Sequence, residues 1–237
     1  MLHRVMRMAL YTIGDLHLSF GVNKPMDVFG DDWSNHIEKI KAGFSILNDE
    51  DVIVICGDTS WGISFEESLD DFKFLNGLPG KKIVLKGNHD YWWSTAAKMN
   101  KFLSESGCEN IKVLHNNCFY YENTAICGTR GWMHDHEENS EQNKKIVLRE
   151  AGRLRTSLQS AKPGFEKICF LHYPPRFNDV EYEEIIEVIN EFDVKKCYYG
   201  HIHGSGHHFA VTGEVDGICY NMISADFLNF VPKIVLE

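Results

Sequence analysis

No stretch of this 237-residue sequence is long and apolar enough to cross a bilayer, so no transmembrane segment is predicted. The slightly basic start, Met1 to Arg7, leads into an apolar stretch interrupted at Gly14 and Asp15. That pattern predicts a first strand rather than a signal peptide. Cysteines at metal-binding or redox spacing are also missing. The seven present are odd in number, none forms a CxxC pair, and most lie in apolar runs. They read as buried thiols in a reducing compartment, which predicts a cytoplasmic protein. Positive charge is scarce, with 24 Lys and Arg against 34 Asp and Glu for a formal net charge of -10. This argues against a broad basic surface for tracking nucleic acid. It does not exclude anionic substrates, because two bound divalent ions would invert the local field where a phosphate sits. There is no GxxxxGK[ST] loop and no GxSxG elbow, so neither a Walker-type nucleotide site nor a serine nucleophile is predicted. No repeat, low-complexity segment or linker divides the chain, and residues 1–237 read as one domain with a substantial core.

What is present is a repeated strand, polar tip and helix. Predicted strands cover Met8–Ile13, Asp51–Cys56, Lys82–Leu85, Lys167–Leu171 and Lys195–Tyr199. Their short continuous apolar runs suit strands buried on both faces of an α/β sheet. Predicted helices cover Trp33–Leu47, Phe65–Leu75, Ser94–Ser106 and Val180–Phe192. Phe119–Tyr121 and Thr124–Cys127 read as a hairpin around Glu122-Asn123, and Phe209–Ile223 as antiparallel strands. A polar helix over 140–160 follows the run HDHEEN, with a loose stripe of Ile146, Leu148, Leu154 and Leu158. It could be an ordinary surface helix, or a cap or insertion around 131–163 beside the site.

Each of the five strands ends on side chains that can bind a metal: Asp15-Leu16-His17, Gly57-Asp58, Gly87-Asn88-His89-Asp90, His172, and Gly200-His201-Ile202-His203. In α/β sheets ligands gather beyond the carboxyl ends of strands, so residues far apart in sequence can converge there. Asp15 and His17, two apart, can face one side while Leu16 turns inward. A carboxylate such as Asp58 can bridge two ions, and Asn88 supplies a neutral oxygen that limits negative charge near an incoming phosphate. His172, His201 and His203 add imidazoles suited to manganese, iron, nickel or zinc more than calcium or magnesium. Any one of these elements alone is more often a turn residue or a cap. The ordered set at strand exits is what carries information.

That set resembles the calcineurin-like metallophosphoesterase family, whose DxH, GD, GNH followed by D or E, isolated His and GHxH motifs occur here in order from Asp15 to His203. The resemblance implies an α/β fold: a four-layer β-sandwich of mixed sheets flanked by helices. It implies two divalent ions, with Mn2+ the first choice and Fe, Zn, Ni or Mg alternatives. One ion would be bound by Asp15, His17, Asp58 and His203, and the other by Asp58, Asn88, His172 and His201. It further implies hydrolysis of a phosphomonoester or phosphodiester by a metal-bridging hydroxide. His89 would stabilise the phosphate or protonate the leaving oxygen, and Asp90 would orient His89 through a carboxylate–imidazole hydrogen bond that raises its proton affinity. The plainer alternative is that His89-Asp90 caps the following helix.

The substrate pocket is less legible. Arg130 in GTRGW could pair with a phosphate oxygen or form a structural salt bridge. Trp61, Tyr91, Trp92, Trp93 and Trp132 could stack on a flat leaving group, although at least three should pack the core. His134, Asp135 and His136 are expected in a solvated loop, and His207-His208 in a tail strand without a catalytic role. The expected partner is a small phosphate-containing substrate, with oligomeric state open. A nucleotide or cyclic-nucleotide phosphodiesterase, a lipid-diphosphate hydrolase, a nuclease and a non-catalytic metal-stabilised scaffold are alternatives. The lipid substrate ranks lower because no basic amphipathic helix is present for membrane docking.

Overall fold

The computed structural model describes residues 8–133 and 141–237, so His134, Asp135 and His136 lie outside the described residues. In chain order the elements are β1 (Leu10–Ile13), α1 (His36–Phe44), β2 (Val52–Cys56), α2 (Phe65–Gly77), β3 (Lys81–Leu85), α3 (Ala96–Glu105), β4 (Ile111–Val113), β5 (Phe119–Tyr121) and β6 (Thr124–Thr129). There follow α4 (Glu141–Gln159), β7 (Glu166–Leu171), β8 (Arg176–Phe177), β9 (Val180–Glu181), α5 (Glu183–Glu191), β10 (Lys196–Tyr199), β11 (Gly213–Val215), β12 (Ile218–Met222) and β13 (Lys233–Leu236). Two mixed sheets result, ordered β13-β1-β2-β3-β4 and β11-β12-β10-β7-β6-β5. Within each, the central strands run parallel, and antiparallel strands close the edges at β13, β5 and β11.

The two-residue period of a strand explains the layering. In β2, Ile53 and Ile55 join Ile40 and Phe44 of α1, Phe72 of α2 and Met99 of α3 in one buried cluster. Val54 and Cys56 of the same strand face the other way and meet Ile126, Ile168 and Phe170 of the second sheet. Cys169, Leu171, Cys197 and Tyr199 then pack outward against Leu154 and Leu158 of α4 and Ile185 and Ile189 of α5. The order is helices, sheet, sheet, helices, so β2, β3, β7 and β10 are buried on both faces beyond their first residues and read there as apolar runs. Each large apolar side chain so buried contributes roughly 1.5–3 kcal/mol. α2 starts where Ser64 accepts the Glu67 N–H while Glu67 reaches back to the Ile63 N–H, a variant of the capping box.

Several expected boundaries move. The helix expected from Trp33 begins at His36, because Asn35 takes a left-handed backbone (φ 55°) after a short 3-10 turn at Asp31–Trp33. The helix expected from Val180 begins at Glu183, since Val180–Glu181 pair with Arg176–Phe177 as a small hairpin. The α4 stripe is Val147, Ala151, Leu154 and Leu158 rather than one that includes Leu148, which is exposed. That face packs against β6 and α5. His207 and His208 sit in a 3-10 turn over Gly204–Phe209, not in a strand. Among the described residues no helix is long and apolar enough to cross a membrane.

Candidate metal centre

Parallel strands within a sheet deliver their carboxyl ends to the same edge, and the histidines and carboxylates meet there. The backbone must leave each strand sharply to aim them. Asp15, His17, Asp58 and His201 all adopt left-handed conformations, with φ of 61°, 48°, 49° and 73°. Such strain in non-glycine residues concentrates at functional sites. Neighbouring glycines admit the close approach: a Cβ on Gly87 would lie 2.0 Å from Asp58 Oδ1, and one on Gly200 would lie 2.4 Å from Asp15 Oδ2.

Two clusters form, Asp15 with His17 and His203, and Asp58 with His172 and His201, each with donor atoms within 4.8 Å of one another. Asp58 links them. Its Oδ1 accepts the His89 N–H at 2.8 Å, while Oδ2 lies 3.6 Å from His172 Nε2 and 3.8 Å from His17 Nε2. Asp15 accepts the His201 N–H through both oxygens, at 3.1 and 3.0 Å. Burial raises the pKa of both carboxyl groups, and the Asp58 charge adds to the rise at Asp15. A cation between them would offset that cost.

His172 shows most directly that the donors fit a cation. It is fully buried, and desolvation drives its pKa down to about 3, so the ring is neutral. Its Nδ1 lies 3.0 Å from the Cys56 carbonyl, which can only accept, so Nδ1 carries the proton. The Nε2 lone pair therefore points at Asn88 Oδ1, 2.6 Å away, itself an acceptor. Two acceptors at this distance are satisfied together by a positive ion. His17 Nδ1 is likewise buried without a hydrogen-bond partner among the described residues.

The structure brings Asp15, His17, Asp58, Asn88, His172, His201 and His203 to one place. His89 borders it, its ring 4.2 Å from Trp61 and 5.8 Å from His17. Its pKa is lowered by burial, with the Asp58 charge pulling the other way. Asp90 departs from its expected role. Its carboxylate accepts the N–H groups of Gly87 (2.7 Å), Thr59 (2.9 Å) and Ser60 (3.2 Å) and the Trp92 indole N–H (3.0 Å). None of these partners is the His89 ring, so Asp90 clamps the loops after β2 and β3 together instead. His89 Nδ1 lies 3.5 Å from the Tyr91 hydroxyl. Arg130 presents its carbonyl to the His172 and Tyr173 N–H groups and sets its guanidinium 3.4 Å from Glu150.

Asp226 is the residue that the sequence motifs do not reveal. Its Oδ1 accepts from His203 Nδ1 at 2.9 Å and its Oδ2 from the Gly204 N–H at 3.1 Å. In the neutral ring this leaves His203 Nε2, which faces Asp15 Oδ1 at 3.7 Å, free to bind a metal. Burial works against the charged ring, but the hydrogen bond to Asp226 and the Asp15, Asp226 and Asp58 charges outweigh it and raise the His203 pKa to about 9. The available signal is a sixth strand exit, because Asp226 follows β12 as the ligands follow their own strands. Trp33, expected in a helix, lies 5.5 Å from both His17 and His203, ring to ring.

The calcineurin-like phosphoesterase profile matches residues 8–205. Among solved structures, the phosphopantetheinyl hydrolase PptH of Mycobacterium tuberculosis is 12% identical with a TM-score of 0.57, and 96% of this chain and 95% of that one are covered. The protein of unknown function AQ665 from Aquifex aeolicus is 14% identical with a TM-score of 0.52, with 96% of each chain covered. The protein TT1561 of Thermus thermophilus is 10% identical with a TM-score of 0.52, covering 97% of this chain and 98% of that one. At these identities the structures establish a shared fold. No curated protein matches the chain by sequence. With its strand-exit motifs in order, two sheets sandwiched between helices and a family match over most of its length, the chain belongs to the calcineurin-like phosphoesterases, metal-dependent hydrolases of phosphate esters.

Proposed function

We propose that this chain is a binuclear phosphohydrolase acting on a small phosphate ester. The observation that carries this reading is the His172 Nε2 lone pair facing Asn88 Oδ1 at 2.6 Å. On this reading Asp15, His17, Asp58 and His203 hold one divalent cation, and Asp58, Asn88, His172 and His201 hold a second. The cations supply Lewis acidity toward phosphoryl oxygens and lower the pKa of water. Manganese is the first assay metal, and iron, zinc, nickel and magnesium are alternatives. His89 stands outside the ligand set at the cleft wall, where it stabilises the phosphate or gives a proton to the leaving oxygen. Seven free cysteines accord with a reducing, cytoplasmic setting.

The cleft beside His17, His89 and His203 encloses about 390 Å³ and is lined by Trp33, Trp61, Phe29 and Met26. Trp61 stacks on His17 with ring centroids 5.0 Å apart, and the Lys24 ammonium lies 4.5 Å from the centre of the Trp61 ring. A flat leaving group, aryl or nucleoside, suits these walls, which favours nucleotide esters among the alternatives. The test is manganese-dependent hydrolysis of paired aryl phosphate monoester and diester substrates, with Asp58→Ala as background. Turnover lost in Asp58→Ala supports the reading, and the preferred member of the pair separates phosphatase from phosphodiesterase. An Asp58→Ala protein with full metal content and activity would overturn it.

A further inference from the structure

A second cavity, of about 190 Å³, lies between the ends of β3, β4 and β6, the start of α3 and one face of α4. A water occupies roughly 30 Å³ of liquid, so this volume accommodates an ion of phosphate size with solvent. Three cations line it, Lys86, Arg130 and Arg153, against one carboxylate, Glu150. That carboxylate is already engaged. Its side chain is fully buried, Oε2 accepts the Thr129 hydroxyl at 2.8 Å, and Oε1 accepts from Arg153 at 2.6 Å and faces Arg130 at 3.4 Å. Lys86 has no ion-pair partner among the described residues. In a chain of net charge -10, this pocket carries a surplus of positive charge.

Hydrogen-bond donors are in surplus as well. Arg130 Nε and Trp93 Nε1 are buried with no partner among the described residues, and both side chains belong to residues lining the cavity. A buried donor without an acceptor costs about 1–3 kcal/mol, so the cavity wall holds two unmet donors. The ten-residue α3 also starts at this wall, with Thr95 as its N-cap, and brings the positive end of its dipole. The His115 ring, 5.8 Å from that of Trp93, has its pKa lowered by burial and then by Arg153, with Lys86 adding to the effect and Glu150 opposing it. An anion would relieve that crowding.

The cavity adjoins the candidate metal centre. The Arg130 carbonyl receives the N–H groups of His172 (3.2 Å) and Tyr173 (2.8 Å), and Lys86 is two residues before Asn88. The Tyr173 ring is 4.2 Å from that of His201. We infer that this cavity is a second anion subsite, holding one phosphate of a substrate whose other phosphate reacts at the metal centre. The substrate class is therefore a bisphosphate; this rests on the phosphohydrolase reading above.

Two measurements on the full-length, manganese-loaded protein test the inference. In the first, a series of alkanediol bisphosphates of two to six carbons is compared with the matching monophosphates. At least one chain length is expected to exceed its monophosphate tenfold in kcat/KM, with that preference falling below threefold in Lys86→Gln and returning in Lys86→Arg. No preference at any length, or one that survives in Lys86→Gln, overturns the inference. In the second, inorganic sulfate is titrated by calorimetry. A binding component retained in Asp58→Ala and weakened at least tenfold in Lys86→Gln belongs to the cavity, whereas identical sulfate binding in wild type and Lys86→Gln overturns it. If no ester is turned over, the phosphohydrolase reading fails by itself, and the sulfate titration decides whether the cavity is an anion site.

Discussion

Asp226→Asn isolates the support that tertiary structure gives to a single ligand. Asparagine keeps the size of the side chain and an oxygen for either His203 Nδ1 or the Gly204 N–H, which Asp226 holds at 2.9 and 3.1 Å. It removes the charge that makes the His203 ring a more basic donor. The Asp226 side chain is 2% exposed, so solvent and salt screen that charge little. Its other neighbour, His207 Nε2, lies 3.2 Å away. Replacing such a partner typically costs about 10- to 100-fold in metal affinity, or about 1.4–2.7 kcal/mol. The loss should fall on one ion, because His203 clusters with Asp15 and His17 and not with His172 and His201. Competition for Mn2+ against a chromophoric chelator reads both affinities, and a thermal melt checks that the variant folds. One site weakened at least tenfold beside a second within threefold of wild type is the expected result. Two unchanged affinities in a folded variant would refute the argument that Asp226 acts through His203.

Three further outcomes are expected. His89→Asn should lower kcat by about 10²–10⁴-fold with manganese content unchanged, and a loss under threefold would remove His89 from the chemistry. Manganese at 100 times its Kd should add about 2.7 kcal/mol per site. With an unfolding entropy of roughly 2.1 cal/mol/K per residue over 237 residues, that raises Tm by about 5 °C per ion, and a melt unchanged by chelator contradicts it. Asp90→Ala strips the acceptor from four N–H groups, and hydrogen bonds to charged groups contribute about 1.5–3 kcal/mol each. A loss of at least about 3 kcal/mol, or about 6 °C in Tm, is expected. A wild-type melt would refute the reading of Asp90 as a clamp between the two loops.

The elements most legible in the sequence were those whose two faces are both buried. β2 shows why: Ile53 and Ile55 meet helices while Val54 and Cys56 meet the other sheet, so no polar residue interrupts the run. The β4 strand and the β13 edge strand were not anticipated. β13 is half solvated and owes its existence to pairing with β1 across the length of the chain. The small β8–β9 hairpin displaced a helix start because Arg176 reaches both Glu181 and Asp216, a tie that no local pattern reveals. Leu148 looked like part of the α4 stripe, but the face toward β6 is set by where the helix docks.

By itself the sequence determined the family and the seven candidate ligands, because a ligand at a strand exit is written next to the strand that aims it. Only the tertiary structure decided what surrounds them. Asp226 meets His203 from 23 positions away, and Asp90 serves loops rather than the neighbouring imidazole. The Lys86, Arg130 and Arg153 cavity draws its charges from three separate elements. Such groupings follow from which loops the two sheets bring together. A one-dimensional pattern of residues records the neighbours along the chain, but not the partners across a sheet edge.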